Sequence, residues 1–198
     1  RCSYPNGYDY GPKGRLHATW VWREGPHTAN HDLVYVYSED RGTTWKNNAS
    51  ETLVGAPNIN SPGITAVPIS DQLGLMNTHG QTVDSQGRVH VILRHCTKAS
   101  LKAAGSAPGE SRWGPPEAQR YLHYWRDQQG TWQQRELPGP TGNRPKIMVD
   151  KADNAIAIYG TDAGLSIATA SASAAWTDWK VIHVEAGPFI NEMLADTT

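Results

Sequence analysis

The chain has 198 residues, 38% of them hydrophobic and 19% charged, and its 18 basic and 19 acidic side chains leave a formal net charge of −1. That length suffices for a sizeable core, the balanced charge gives no electrostatic footprint for nucleic acid or an anionic membrane, and no apolar run approaches the roughly 18 residues of a membrane span. Eight Trp and eight Tyr beside 19 Gly and 13 Pro point to a folded chain with many tight turns, not to disorder.

Three stretches share one layout: strand, Gly- or Asn-bearing turn, strand, loop, strand, turn, Trp-bearing strand. The first comprises residues 11–22 and 32–45, the second 81–93 and 120–132, and the third 146–158 and 164–170, running on to Trp176 and Trp179. Blade-like units are expected over about 1–60, 61–140 and 141–185, with 186–198 a closing or next-blade segment. β-Branched and aromatic residues dominate 16–22 and 33–37, as half-buried strands require. No longer window carries a helical apolar period. Residues 100–118, with Pro108, Pro115 and Pro116, read as a long loop, and only 190–194 has local helical character. The fold class is all-β.

The sharpest local motif is Ser38, Asp40, Gly42, Thr44 and Trp45, an S-x-D-x-G-x-T-W pattern. Asp40 is expected to accept from turn amides, Gly42 to take a positive φ and Trp45 to pack between adjacent sheets. The pattern resembles the Asp-box of sialidase-like β-propellers, and residues 126–132 look like a degenerate copy. The resemblance implies a β-propeller of four-stranded antiparallel blades. Blades take roughly 40–50 residues and rings close with four to eight of them. The chain is therefore expected to hold about three to four blades of a larger ring, the remaining blades lying in an N-terminal part or a second chain.

A wider resemblance rests on Tyr4, Pro5 and Asn6, on Gly14, Arg15 and Leu16, on Arg23 and Glu24, on Asn30, His31 and Asp32, on the Asp-box, and on Gly187, Pro188 and Phe189. Together these resemble the C-terminal half of BNR-repeat proteins, which include seven-bladed polysaccharide lyases of the ulvan lyase and rhamnose–glucuronate lyase type. The resemblance implies that Tyr4 and Arg23 are catalytic and that Asn30 and His31 lie among substrate contacts. It implies an acidic polysaccharide as partner and histidines supplied by blades outside this chain. His79 and Arg94, which flank the second unit's first hairpin, are further substrate-binding candidates. No cofactor is needed for the chemistry, and a structural calcium or zinc is compatible with such a propeller.

β-Elimination from a 4-linked uronate removes the C5 proton and expels the O4 substituent. A guanidinium beside the carboxylate stabilises the enolate-like intermediate, and His and Tyr suit the acid and base steps. Arg23 fits the first role and Tyr4 the second; the plain alternatives are a strand-end surface charge and an interblade packing residue. His17 and His90 occupy equivalent places in two repeats and read as scaffold. His79, His95 and Cys96 could join a zinc site, although their spacing matches no compact finger. No nucleophile motif is present.

Two other functions compete. A sialidase-type glycoside hydrolase would use Arg23, Arg94 and Arg144 as a carboxylate-binding triad, yet no Tyr/Glu pair stands out. A non-catalytic glycan-binding propeller would stack sugars on Trp113, Trp125 and Tyr121, expected to be exposed near the long loop. Cys2 and Cys96 are a candidate disulfide, and Asn48 heads a single N-glycosylation sequon. Both features, with a first residue other than Met, suggest an extracellular protein.

Overall fold

A computed structural model describes residues 1–162, 164–187 and 189. Its strands are β1 (Cys2–Tyr10), β2 (Leu16–Arg23), β3 (Asn30–Ser38), β4 (Thr65–Val67), β5 (Gly80–Val83), β6 (Val89–Cys96), β7 (Gln119–Arg126), β8 (Trp132–Glu136), β9 (Lys146–Val149), β10 (Ala155–Thr161), β11 (Gly164–Ala170) and β12 (Lys180–Ala186). They form three four-stranded antiparallel sheets, β1-β2-β3-β4, β5-β6-β7-β8 and β9-β10-β11-β12. The first strands of the sheets lie side by side, β1 against β5 and β5 against β9. Each sheet is thus a blade whose first strand is innermost, and the chain is part of a β-propeller.

Alternation builds the packing between blades. In β2 and β3 one face carries Ala18, Trp20, Trp22, Val34 and Val36, and the other carries Val21, Leu33, Tyr35 and Tyr37. The second set packs against Val89, Val91, Leu93, Leu122 and Tyr124 of the next blade. The far face of that blade gives Ile92, Tyr121 and Trp125 to a core shared with Ile147, Tyr159, Trp176 and Trp179 of the third. A central blade is therefore apolar on both faces, as a sheet covered on both sides must be.

Asp side chains tie the hairpin turns. Asp84 accepts from the amides of Gln86 and Arg88, Asp127 from those of Gln129 and Thr131, and Asp150 from those of Ala152 and Asn154. In the Asp-box, Asp40 accepts from the Thr44 amide and hydroxyl and from the Ser38 hydroxyl, while Gly42 has φ +90°. These are Asx-type turns, in which a carboxylate replaces the backbone partners that a tight reversal lacks. The four turns lie at one rim of the blades, at the far end from Arg23.

Several expectations are corrected. Residues 100–118 are not loop throughout: α1 (Lys98–Ala103) opens the segment, with a Thr97–Ser100 capping box at its start. Trp45 packs on the Trp20–Trp22 face of its own sheet, the face turned away from the second blade. Tyr121 and Trp125 are buried, at 2% and 7% exposure, because β7 is covered on both faces. The Cys2–Cys96 disulfide is not formed. Cys2 is exposed on the inner strand of the first blade, whereas Cys96 is buried in the second with Leu101 and Ala118. The expected helical character at 190–194 lies outside the described residues. No helix among the described residues is long and apolar enough to cross a membrane.

Candidate active site

The rim opposite the Asp-box gathers the start of β1, the end of β2, the start of β3 and the segment leading into β5. Cys2 pairs with Arg23, and Arg23 with Asn30, across these strands. Cross-strand partners share a face, so the register alone directs Tyr4, Arg23 and Asn30 to one side of the blade.

Arg23 is held from three directions. Its Nε donates to Asn30 Oδ1 at 3.0 Å, one Nη to the Tyr4 hydroxyl oxygen at 3.2 Å, and the other to Asn77 Oδ1 at 3.0 Å. Its Cζ lies 4.5 Å from the centroid of the Tyr4 ring and 5.9 Å from that of Trp113. Asn30 is fully buried and is itself fixed, its Nδ2 donating to Leu75 O at 2.9 Å. Every hydrogen-bond partner of this guanidinium is neutral. No carboxylate among the described residues pairs with it, so its orientation is set while its charge stays uncompensated.

The segment Met76, Asn77, Thr78 and His79 gathers further cations. Arg144 Nε donates to Asn77 O at 2.7 Å and Lys146 Nζ to His79 O at 3.0 Å. Arg94 places one Nη 2.7 Å from the Met76 sulfur. Thr78 takes φ +55°, a left-handed conformation that a β-branched residue adopts at a cost of about 1–3 kcal/mol. That turn separates the two carbonyls, sending one to Arg144 and the other to Lys146.

His79 is 1% exposed, and its Nε2 accepts from the Arg94 amide at 3.0 Å. Burial, reinforced by His95, Arg144, Lys146 and Arg94, holds its pKa well below the ordinary histidine value, so the ring is neutral with its proton on Nδ1. His31 lies between two acids, Nε2 2.9 Å from Glu24 and Nδ1 3.0 Å from Asp32. The zinc grouping of His79, His95 and Cys96 does not assemble. His95 engages Tyr124 Oη and Cys96 O, Cys96 Sγ faces Trp113 O, and no cluster of three metal-ligating side chains occurs among the described residues. Burial also takes His95 down to about 4.

His17 and His90 sit in interblade packing, as their recurrence suggested. His17 Nδ1 is 2.9 Å from Tyr35 Oη, and His90 bridges His123 and Asp84. Asn48 is also engaged between blades: its Nδ2 donates to Gly130 O at 3.0 Å, and its Oδ1 accepts from Arg126 Nε and Trp132 Nε1.

Sequence reasoning missed Asn77, which lies 54 positions from Arg23 and sits in no motif. Trp113 was expected as a sugar-stacking residue near the long loop, but its approach to Arg23 was not. That loop folds back on the first blade, Arg112 Nε donating to Thr28 O at 3.0 Å with its Cζ 4.3 Å from the Trp113 ring centroid. The contact brings an indole beside Arg23.

The sequence model described as "BNR repeat-containing family member" matches residues 1–139. No curated protein matches the chain in sequence. Among solved structures, the polysaccharide lyase Uly1 is similar with a TM-score of 0.59 at 16% identity, over 92% of this chain and 37% of its own. A PL25 ulvan lyase, solved bound to -[GlcA(1-4)Rha3S]-, gives 0.56 at 15% identity over 82% of this chain and 38% of its own; its structure without that ligand gives the same values. The likeness is one of fold, and the chain spans just over a third of the length of these lyases.

Proposed function

We propose the following reading for this chain, which belongs to the BNR repeat-containing family: it forms part of an extracellular polysaccharide lyase that cleaves a uronate-containing glycan by β-elimination. The observation that carries the reading is the Arg23 guanidinium, fixed by Tyr4, Asn30 and Asn77 with no acid among the described residues to neutralise it. The similar folds, both polysaccharide lyases and one solved bound to a glucuronate-containing ligand, support the same class.

The chemistry follows from charge placement. Arg23 bonds the uronate carboxylate with the N–H groups its neutral partners leave over, which increases C5 acidity by stabilising the enolate-like intermediate. A base removes the C5 proton, the C4–C5 double bond forms and the C4–O4 bond breaks. Tyr4 receives a hydrogen bond from Arg23 on its oxygen, which leaves its own O–H to donate to the departing O4. Trp113 offers an indole for an adjacent sugar ring. The base comes from blades beyond this chain.

The sialidase-type alternative is less well supported. Arg23 and Arg144 bond different atoms of Asn77 and Arg94 faces Met76, so the backbone and an amide stand between the three guanidiniums. To test the reading, the full-length protein is incubated with a panel of uronate polysaccharides, and the ultraviolet absorbance of the unsaturated product is followed beside release of a fluorogenic sialoside. Unsaturated product is expected from at least one uronate glycan. Sialoside cleavage alone would replace the lyase with the hydrolase.

A further inference from the structure

We infer that Arg94 forms a second oxyanion-binding subsite, between the second and third blades, for a charged substituent on a sugar other than the one held at Arg23. The inference rests on the glycan reading above and narrows the substrate to a chain with anionic groups on more than one ring.

Arg94 sits near the end of β6, paired across the sheet with Tyr121. It lines a cavity of about 220 Å³ with Gly142, Asn143, Gly160, Asp162 and Phe189. Its guanidinium is poorly satisfied. The acceptor for one Nη is the Met76 thioether, a weak one, and its buried Nε has no partner among the described residues. No carboxylate among the described residues pairs with it, and burial lowers its pKa. A partly desolvated cation without a counter-charge is costly to keep, and a ligand oxyanion at its Nη groups would supply that charge and a stronger acceptor than the thioether.

The surroundings leave room for such a group. The Tyr121 hydroxyl receives the Gly142 amide at 2.9 Å and donates to Asn143 O, which ties the 142–143 strap over the blade interface. Gly142 lies so close to Gly160 that a Cβ would come within 1.9 Å of Gly160 O, so the wall is bare backbone. Arg144, whose amide donates to the Asn143 side chain of this cavity, also bonds the Asn77 that positions Arg23.

A carboxylate and a sulfate ester share this chemistry, and the test separates them. Binding of the full-length protein is measured calorimetrically to one sulfated uronate polysaccharide in native, desulfated and carboxyl-reduced forms. Arg94→Gln is expected to weaken binding of the native glycan about tenfold and to remove the discrimination against whichever treated form lacks the relevant group. Asp162→Asn, at an exposed position in the same cavity, is expected to strengthen binding and covers the case in which the Arg94 variant fails to fold. Unchanged affinity in a folded Arg94→Gln protein, or no gain in Asp162→Asn, overturns the inference. Binding without an unsaturated product would remove the lyase reading and leave the subsite standing.

Discussion

Arg23 meets Tyr4 twice: one guanidinium N–H reaches the phenol oxygen at 3.2 Å, and Cζ lies 4.5 Å from the centroid of the same ring. The pair couples a carboxylate-binding cation to a hydroxyl able to donate a proton, two functions that elimination needs within one sugar's width. Both residues come from the antiparallel β1–β2 hairpin, so their relation is set by register and not by loop conformation.

The two asparagines that hold Arg23 should separate stability from activity. Asn30 is fully buried between Arg23 and Leu75 O, so Asn30→Ala should cost about 1–3 kcal/mol in urea unfolding and also lower turnover. Asn77→Ala, at a half-buried position, should lower kcat/KM about tenfold or more with a smaller change in the unfolding midpoint. Equal effects of the two substitutions on stability and turnover would count against this division.

Trp113 should act on binding. Trp113→Ala is expected to raise KM several-fold, in keeping with the roughly 0.5–1.5 kcal/mol of an aromatic contact, and to leave kcat near its original value. Steady-state kinetics on the cleaved glycan decides this, and a pure kcat defect would place the indole elsewhere in the reaction.

Asn48 should behave as a blade staple. Its three side-chain hydrogen bonds reach Gly130, Arg126 and Trp132 of the next blade. Asn48→Ala should lower stability by about 1–3 kcal/mol. A glycan on Nδ2 would disturb the same contacts, so intact mass from a glycosylating host should show no sugar at this sequon.

Acid should weaken the fold in two stages. Burial lowers His17 and His95 to about 4, and lowers His79, His90 and His123 too. A histidine with a lowered folded pKa contributes its full stability above the ordinary value of 6.5 and loses it as the pH falls toward the folded value. Asp40 is lowered from 3.8 to about 2 by the Thr44 amide, the Thr44 hydroxyl and Ser38, so its contribution disappears between those pH values. Urea midpoints should therefore be flat around neutrality, fall between 6.5 and about 4, and fall again below 3.8. A profile unchanged from neutrality down to pH 4 would contradict this.

The blade strands were legible because β-branched and aromatic alternation and the Asp-box are local signals: residues 16–22 and 33–37 lie in β2 and β3. Exposure was not legible, since β7 is apolar on both faces and its alternation cannot tell a core Trp125 from a surface one. The six-residue α1 is too short for a period and starts on a Thr97–Ser100 box that an S/T-x-x-E/Q search passes over. Arg23, Tyr4 and Asn30 could be drawn together by resemblance and by hairpin logic. Asn77 and Trp113 reach them only through the packing of the second blade on the first, a long-range outcome with no local code.

The most direct measurement compares full-length wild-type protein and Arg23→Gln on a cleavable uronate polysaccharide, following formation of the unsaturated product. If the guanidinium held by Tyr4, Asn30 and Asn77 neutralises the uronate carboxylate, kcat/KM should fall about 10²–10³-fold in a variant whose unfolding midpoint is near that of the wild type. Product formation by a folded Arg23→Gln protein at the wild-type rate would contradict it.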